Sequence, residues 1–262
     1  MNASEDTVRP VIFEHPLNER VRTLLRLEFL FDQARFGLEG ETGWHSRTAV
    51  GALVDVVQLL SRGDLRSEIQ KELERVISTL DALSRRPGVD PGRLDQVLGE
   101  CRELIDRLRD APPGIPPQIR DNDLLNTVAQ RAGIMGGTCG FDVPAYHLWL
   151  HGPAAARRED LRHWLTGFEL LRRATQLILR LMRDSADPIR ENAVGGSYQA
   201  SLDRQIPYQL LRVALPISYQ AYPEISGNRH FCTIRFMNQP DPTERPRQLD
   251  EDVRFVLERC VI

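Results

Sequence analysis

Lysine is almost missing from this chain: Lys71 is the single lysine among 34 basic residues, and the rest are arginine. A GC-rich coding bias produces such an excess, so arginine number by itself argues for no anion-binding role. A positive balance is missing too. The formal net charge is −3 and the sequence pI is about 6.1, so no global field draws the protein to nucleic acid and any basic site is local. The four cysteines, Cys101, Cys139, Cys232 and Cys260, show no CxxC or zinc-ribbon spacing and read as reduced structural thiols. No run approaches the ~20 apolar residues that span a bilayer, and no apolar stretch follows a basic start. The expectation is a cytoplasmic protein without membrane insertion.

Catalytic grammar is also missing. There is no P-loop, no GxGxxG after a strand, no GxSxG elbow and no HExxH, so no cofactor is expected and the chain does not read as an enzyme. Gly136-Gly137 and Gly195-Gly196 lack the strand-to-helix flanks of a phosphate loop and read as turns. His147 and His151, in HLWLH, stand four apart, a metal-ligand spacing on a helix and one face of a strand. With no third ligand in pattern and no glutamate between them, a hydrogen-bonded histidine beside a partner groove is the preferred reading. A metal-dependent hydrolase using His147 and His151 is the alternative. Residues 124–134 superficially suit the first helix of a DNA reader, but the glycine-rich stretch that follows offers no helix to enter a groove, so no nucleic-acid partner is expected.

What is present is a folded chain of 262 residues with 41% hydrophobic content, enough for one large domain or two small ones. Its organising stretch is FEHPLNERVRTLLRLEFL, residues 13–30. Pro16 suits the first turn of a helix, and Leu17, Val21, Leu24 and Phe31 fall on one core-facing stripe. Arg22 and Arg26 share another face one turn apart, which calls for an acidic neighbour or an anionic ligand. Glu19 can relieve Arg22 but sits too far back to serve Arg26 equally, and for either arginine taken alone a solvated helix face is the plainer reading. Ser46 is placed as the cap of a second helix that ends at Arg62-Gly63.

Leu65, Ile69, Leu73, Val76 and Leu80, then Leu94, Leu98, Cys101, Ile105 and Leu108, form two seams. They predict an antiparallel helical hairpin over 64–109, with Asp90 and Pro91 opening its second arm. A stiff proline-rich connector at 112–117 precedes a helix over 118–132. Residues 139–151 alternate, with Pro144 among them, and predict an edge strand or bulge. Residues 153–187 return to helix, bent at Gly167. From Tyr198 onward strand patterns appear at 209–219, 229–237 and 248–261; Cys232, Ile234 and Phe236 take the core side of one strand, and Phe231, Thr233 and Arg235 the outer.

The fold class is therefore α+β. A helical domain, a bundle containing the hairpin, is expected from 17–137 and 153–187, and a β-strand domain from 10–16, 138–152 and 190–262. Residues 1–9 are expected to be a disordered tail.

Four collinear blocks carry a resemblance: FEHPLNERVRTLLRLEFL, PGV-D, GGTCGFDVPAYHLWLH and YPEISGNRHFCTIRFM. In that order they look like the ZapD family of bacterial cell-division proteins. The resemblance implies a cytoplasmic homodimer at the mid-cell division site that binds the flexible C-terminal tail of the tubulin-like protein FtsZ. It further implies that such a dimer bundles FtsZ filaments and stabilises the division ring. Carried over position by position, it places Arg26, Arg62, His147 and Arg235 in a basic partner-binding surface, with Arg229 as an addition from the same loop and strand. Asp123 and Phe231 stand where a relative carries arginines, so the pocket is either less basic here or rebuilt around Arg120 and Arg229.

Overall fold

In a computed structural model, residues 10–83, 89–112, 114–228 and 230–262 are described. The chain divides into two compact units. One takes the chain up to Thr23 and from Leu179 to Ile262; the other is Leu24–Ile178. The proposed tail at 1–9, the stop of the first hairpin arm at 85–88 and Arg229 lie outside the described residues.

The first unit is built on strands. β1 (Val11–Pro16), β2 (Ile189–Ala193), β4 (Leu210–Leu215) and β8 (Val253–Cys260) form a sheet in the order β1-β4-β8-β2. β3 (Ser197–Ser201), β6 (Phe231–Asn238) and β5 (Ala221–Gly227) form a second sheet in the order β3-β6-β5, and the short β7 (Arg247–Gln248) pairs with the end of β6. All the pairings are antiparallel. Val213, Leu215, Ile234, Phe236, Phe255 and Leu257, from both sheets, are buried in one cluster, so the two inner faces close on each other. As the alternation predicts, Cys232, Ile234 and Phe236 are buried while Phe231 and Arg235 are exposed.

The β2–β3 turn needs its glycines: Gly195 and Gly196 have φ of +53° and +67°, the geometry of a tight hairpin turn with two left-handed positions. A Cβ on Gly196 would also run into the Leu249 carbonyl. Across one sheet, Glu14 accepts two hydrogen bonds from Arg183, both 2.8 Å, and one from Arg212 at 3.0 Å. Arg212 also pairs with Glu258.

The second unit is helical, and of the first and last helices named next only the residues from Leu24 and up to Ile178 belong to it. α1 (Glu19–Glu39), α2 (Gly43–Leu60), α3 (Leu65–Leu83) and α4 (Pro91–Asp110) are followed by the short α5 (Pro117–Arg120) and α6 (Asp123–Arg131). Then come α7 (Pro144–His151), α8 (Ala154–Thr166) and α9 (Glu169–Asp184). α3 and α4 pack as the predicted hairpin. Asp90 caps α4 by accepting from the Gly92 and Arg93 amides at 2.9 and 3.3 Å. Gly167 caps the end of α8, and a Cβ there would meet Gln118 at 2.5 Å and Pro116 at 2.7 Å.

Several sequence expectations are corrected. The predicted mid-chain strand within 138–152 is helix α7 over most of its length: Pro144 sits in the first turn, where a missing N–H costs nothing. Tyr146 and Leu150, four apart, are the buried positions. Pro16 closes β1 instead of opening α1; Asn18 takes that role, accepting from the Val21 amide at 3.0 Å. The cap of α2 is Thr42, which accepts from His45 N at 3.3 Å, while Ser46 is buried within the helix. The helix expected over 118–132 is two, because Asn122 starts a new one by accepting from Leu125 N at 3.0 Å.

Candidate functional site

Of the residues assigned by the sequence, Arg26, Arg62 and His147 fall in the helical unit and Arg235 in the strand unit. Arg26 is exposed on α1, and Arg62 is exposed in the turn that follows α2. Arg22 pairs with Glu19 at 3.4 Å, as predicted. Arg235 points outward from β6 and donates to Glu224 at 2.9 Å, with the side chains 56% and 47% exposed. Of the two departures, Asp123 is an acidic first-turn residue of α6 and Phe231 is half exposed on β6. Arg120 is held by its neighbour Asp121 at 2.8 and 3.1 Å.

His147 and His151 face outward on α7, ring centroids 4.4 Å apart, and His151 Nδ1 hydrogen-bonds the His147 carbonyl at 2.8 Å. Among the described residues no group of three or more His, Cys, Asp or Glu side chains could hold a metal ion, so the pair has no third protein ligand there. α7 is fixed from below. Tyr146 stacks on Trp149, centroids 5.8 Å apart, and Trp149 tilts against Trp164 at 5.4 Å. The Trp149 indole donates to Asp160 at 2.8 Å. Burial pushes the Tyr146 phenol up to about 12, although Arg47 beside it acts in the opposite direction.

Two arginines that sequence reasoning passed over hold this corner. Arg47 lies 5.0 Å from the Tyr146 ring centroid and 5.5 Å from that of Trp44, and donates to the Thr138 carbonyl at 3.1 Å. That ties the 134–143 segment to the start of α2. Arg157, nearly fully buried, donates to Ser46 Oγ at 3.0 Å and the Glu41 carbonyl at 2.5 Å, and also to the Gly152 carbonyl. It thereby joins the loop before α2 to the end of α7. A polar face on one helix, without its acceptors in view, gave no signal for either.

Distances divide the helical candidates. α7 packs at the N-terminal end of α2, where Gly43 lies against Leu150, and Arg62 follows that helix's last turn. An 18-residue helix is ~27 Å long at ~1.5 Å per residue, so His147 and Arg62 do not meet at one pocket. Over the C-terminal half of α2 lies a shallow apolar groove lined by Leu53, Val54, Val57, Ile119, Leu125 and Ala129, with Asn126 as its polar member. No helix among the described residues is long and apolar enough to cross a membrane.

These features define an α+β protein with candidate basic residues on open surfaces. The family model described as ZapD, cell division protein, matches residues 25–235. The chain is 42% identical over 252 residues to the cell division protein ZapD of Methylococcus capsulatus, covering 96% of this chain and 98% of that one. It is 39% identical over 251 residues to ZapD of Cupriavidus pinatubonensis, covering 95% and 99%. Against ZapD of Ralstonia pickettii it is 40% identical over 251 residues, with the same shares. The chain belongs to the ZapD family of cell division proteins.

Proposed function

We propose that this protein binds the C-terminal tail of FtsZ and, as a homodimer, crosslinks FtsZ filaments in the cytoplasm at the mid-cell division site. The observation that carries the reading is the open, cation-bearing surface of the helical unit beside an apolar groove. Arg62 stands past the end of α2, and the Leu53, Val57 and Leu125 groove lies over the half of α2 that leads to it. An acidic tail with apolar side chains needs both features: charge-assisted hydrogen bonds for its carboxylates and a dry seat for its hydrophobes. The span from Arg62 to His147, on the order of 27 Å, equals roughly eight extended residues at ~3.3 Å each. Such a tail therefore reaches both without a single deep pocket.

Arg235 fits the same chemistry. Its pair with Glu224 is solvent-exposed, and an exposed pair contributes only about 0–1 kcal/mol, so a tail carboxylate can replace Glu224 at little cost. Two weak sites on one dimer then bundle filaments by avidity, and the mechanism is mass action.

The test is co-sedimentation of FtsZ with GTP, with and without this protein, using full-length FtsZ and FtsZ lacking its C-terminal tail. Pelleting of both proteins only when the tail is present is the expected result. Tail affinity unchanged in both Arg26→Glu and Arg235→Glu would remove those residues from the surface.

A further inference from the structure

His147 and His151 are both exposed, one turn apart on α7, and each ring is oriented by what meets its Nδ1 edge. A Cβ on Gly140 would lie 2.9 Å from His147 Nδ1, 3.1 Å from Cγ and 3.2 Å from Cε1. Those three atoms make up one edge of the ring, so His147 is seated with that edge over the glycine and turns Nε2 away from it. His151 Nδ1 hydrogen-bonds the His147 carbonyl at 2.8 Å. A carbonyl only accepts, so Nδ1 carries the proton and Nε2 keeps the free lone pair. Among the described residues no hydrogen bond to protein occupies either Nε2.

We propose that this pair is a binding site for a divalent transition-metal ion, held by His147 Nε2 and His151 Nε2 with water in its remaining positions. Two imidazoles without a thiolate or carboxylate suit Ni2+, Cu2+ or Zn2+, whereas Mg2+ and Ca2+ take oxygen ligands. The bond from His151 Nδ1 to a backbone carbonyl is the outer contact that metal-bound histidines make, and it fixes the tautomer. Spacing then selects among the three ions. With a metal–nitrogen distance of ~2.0–2.1 Å, the ion sits ~3.2 Å from each ring centre. Two such rings lie ~4.5 Å apart at a right angle about the ion and ~5.2 Å apart at the tetrahedral angle. The observed centroid separation of 4.4 Å is the right-angled one, which square-planar and octahedral ions adopt and tetrahedral Zn2+ does not. The site therefore favours Ni2+ or Cu2+.

α7 is in place before the ion arrives. Trp149 packs on Trp164 and donates to Asp160, and Arg157 holds the Gly152 carbonyl just past the last turn, so binding has little ordering cost. Only Leu148, Trp149 and Leu150 stand between the histidines. None of them is a base, and the assignment is to binding, not to hydrolysis.

The experiment is calorimetric titration of the untagged full chain with NiCl2 and, separately, with ZnCl2. It compares wild type, His147→Gln, His151→Gln, Gly140→Ala and the control His163→Gln, an exposed histidine on α8, with circular dichroism to show that each is folded. The expected result is one Ni2+ per chain in wild type and control, bound more tightly than Zn2+. Each of the two α7 histidine variants loses at least ~10-fold in Ni2+ affinity. Gly140→Ala keeps both imidazoles but displaces the His147 ring, and it too weakens Ni2+ binding.

No Ni2+ binding by wild type, or wild-type affinity in both His147→Gln and His151→Gln, would overturn the inference. So would tighter binding of Zn2+ than of Ni2+, or wild-type affinity in folded Gly140→Ala, because each removes the preset right-angled pair. Every titration is run without FtsZ, so failure here leaves tail binding untouched, and failure of tail binding leaves the metal site untouched.

Discussion

At the scale of the residue, arginines act here by what accepts from them. Arg157 and Arg47 hold loops; Arg183 and Arg212 hold Glu14. Burial alone would push the Glu14 carboxyl up, but the hydrogen bonds and charges of Arg183 and Arg212 together hold it below its usual 4.5. A depressed folded-state pKa means that stability is fully present above the unfolded value and is lost as pH falls through the folded one. Glu14→Gln should therefore be less stable than wild type at neutral pH, with the difference shrinking well below pH 4.5, where both side chains are neutral. Urea midpoints at the two pH values check this, and a gap of equal size at both would contradict it.

At the scale of the element, two glycines make opposite predictions. A Cβ on Gly37, in α1, would meet the His45 carbonyl at 2.5 Å and the Ala49 amide nitrogen at 2.6 Å, both backbone atoms of α2. Neither can move aside as a side chain would. Gly37→Ala should cost about 1–3 kcal/mol through overpacking, whereas Gly51→Ala, which meets nothing within 4 Å, should gain up to about 1 kcal/mol of helix propensity. Thermal or urea unfolding of the pair reads both signs.

Elements differed in how legible they were. The α3–α4 hairpin was readable because the five apolar positions named on each arm overdetermine a period, and Asp90-Pro91 marks a start. The alternation in β6 was readable because Cys232, Ile234 and Phe236 have only one inside. α7 was not: in eight residues the aromatic and apolar side chains fall on every face, so helix and strand periods fit equally, and Pro144 is admissible in both. Arg26, Arg62, His147 and Arg235 came from resemblance, since an exposed arginine has no periodicity to betray it. Arg47 and Arg157 were invisible because their meaning lies in carbonyls 91 and 116 residues away in the chain.

At the scale of the whole molecule, bundling on the proposed reading needs two tail contacts where binding needs one. Salt weakens each ionic contact, so raising ionic strength should reduce FtsZ pelleting more steeply than single-site tail binding, approaching the square of that loss. Parallel salt titrations by sedimentation and peptide anisotropy compare the two slopes; equal slopes would speak against a two-site crosslink.

The pairing of Val11 with Leu215 in β1 and β4 also bears on how the protein is made. The helical unit is one continuous stretch, but β1 leaves the ribosome roughly 200 residues before its partner strand exists. At about 5–20 residues per second that is a wait of roughly 10–40 s. Through that interval Val11, Ile12 and Phe13 form an apolar strand with no neighbour, the kind of segment that other nascent chains and chaperones find first. Synthesis rate and chaperone supply thus bear on the yield of this protein through its first strand.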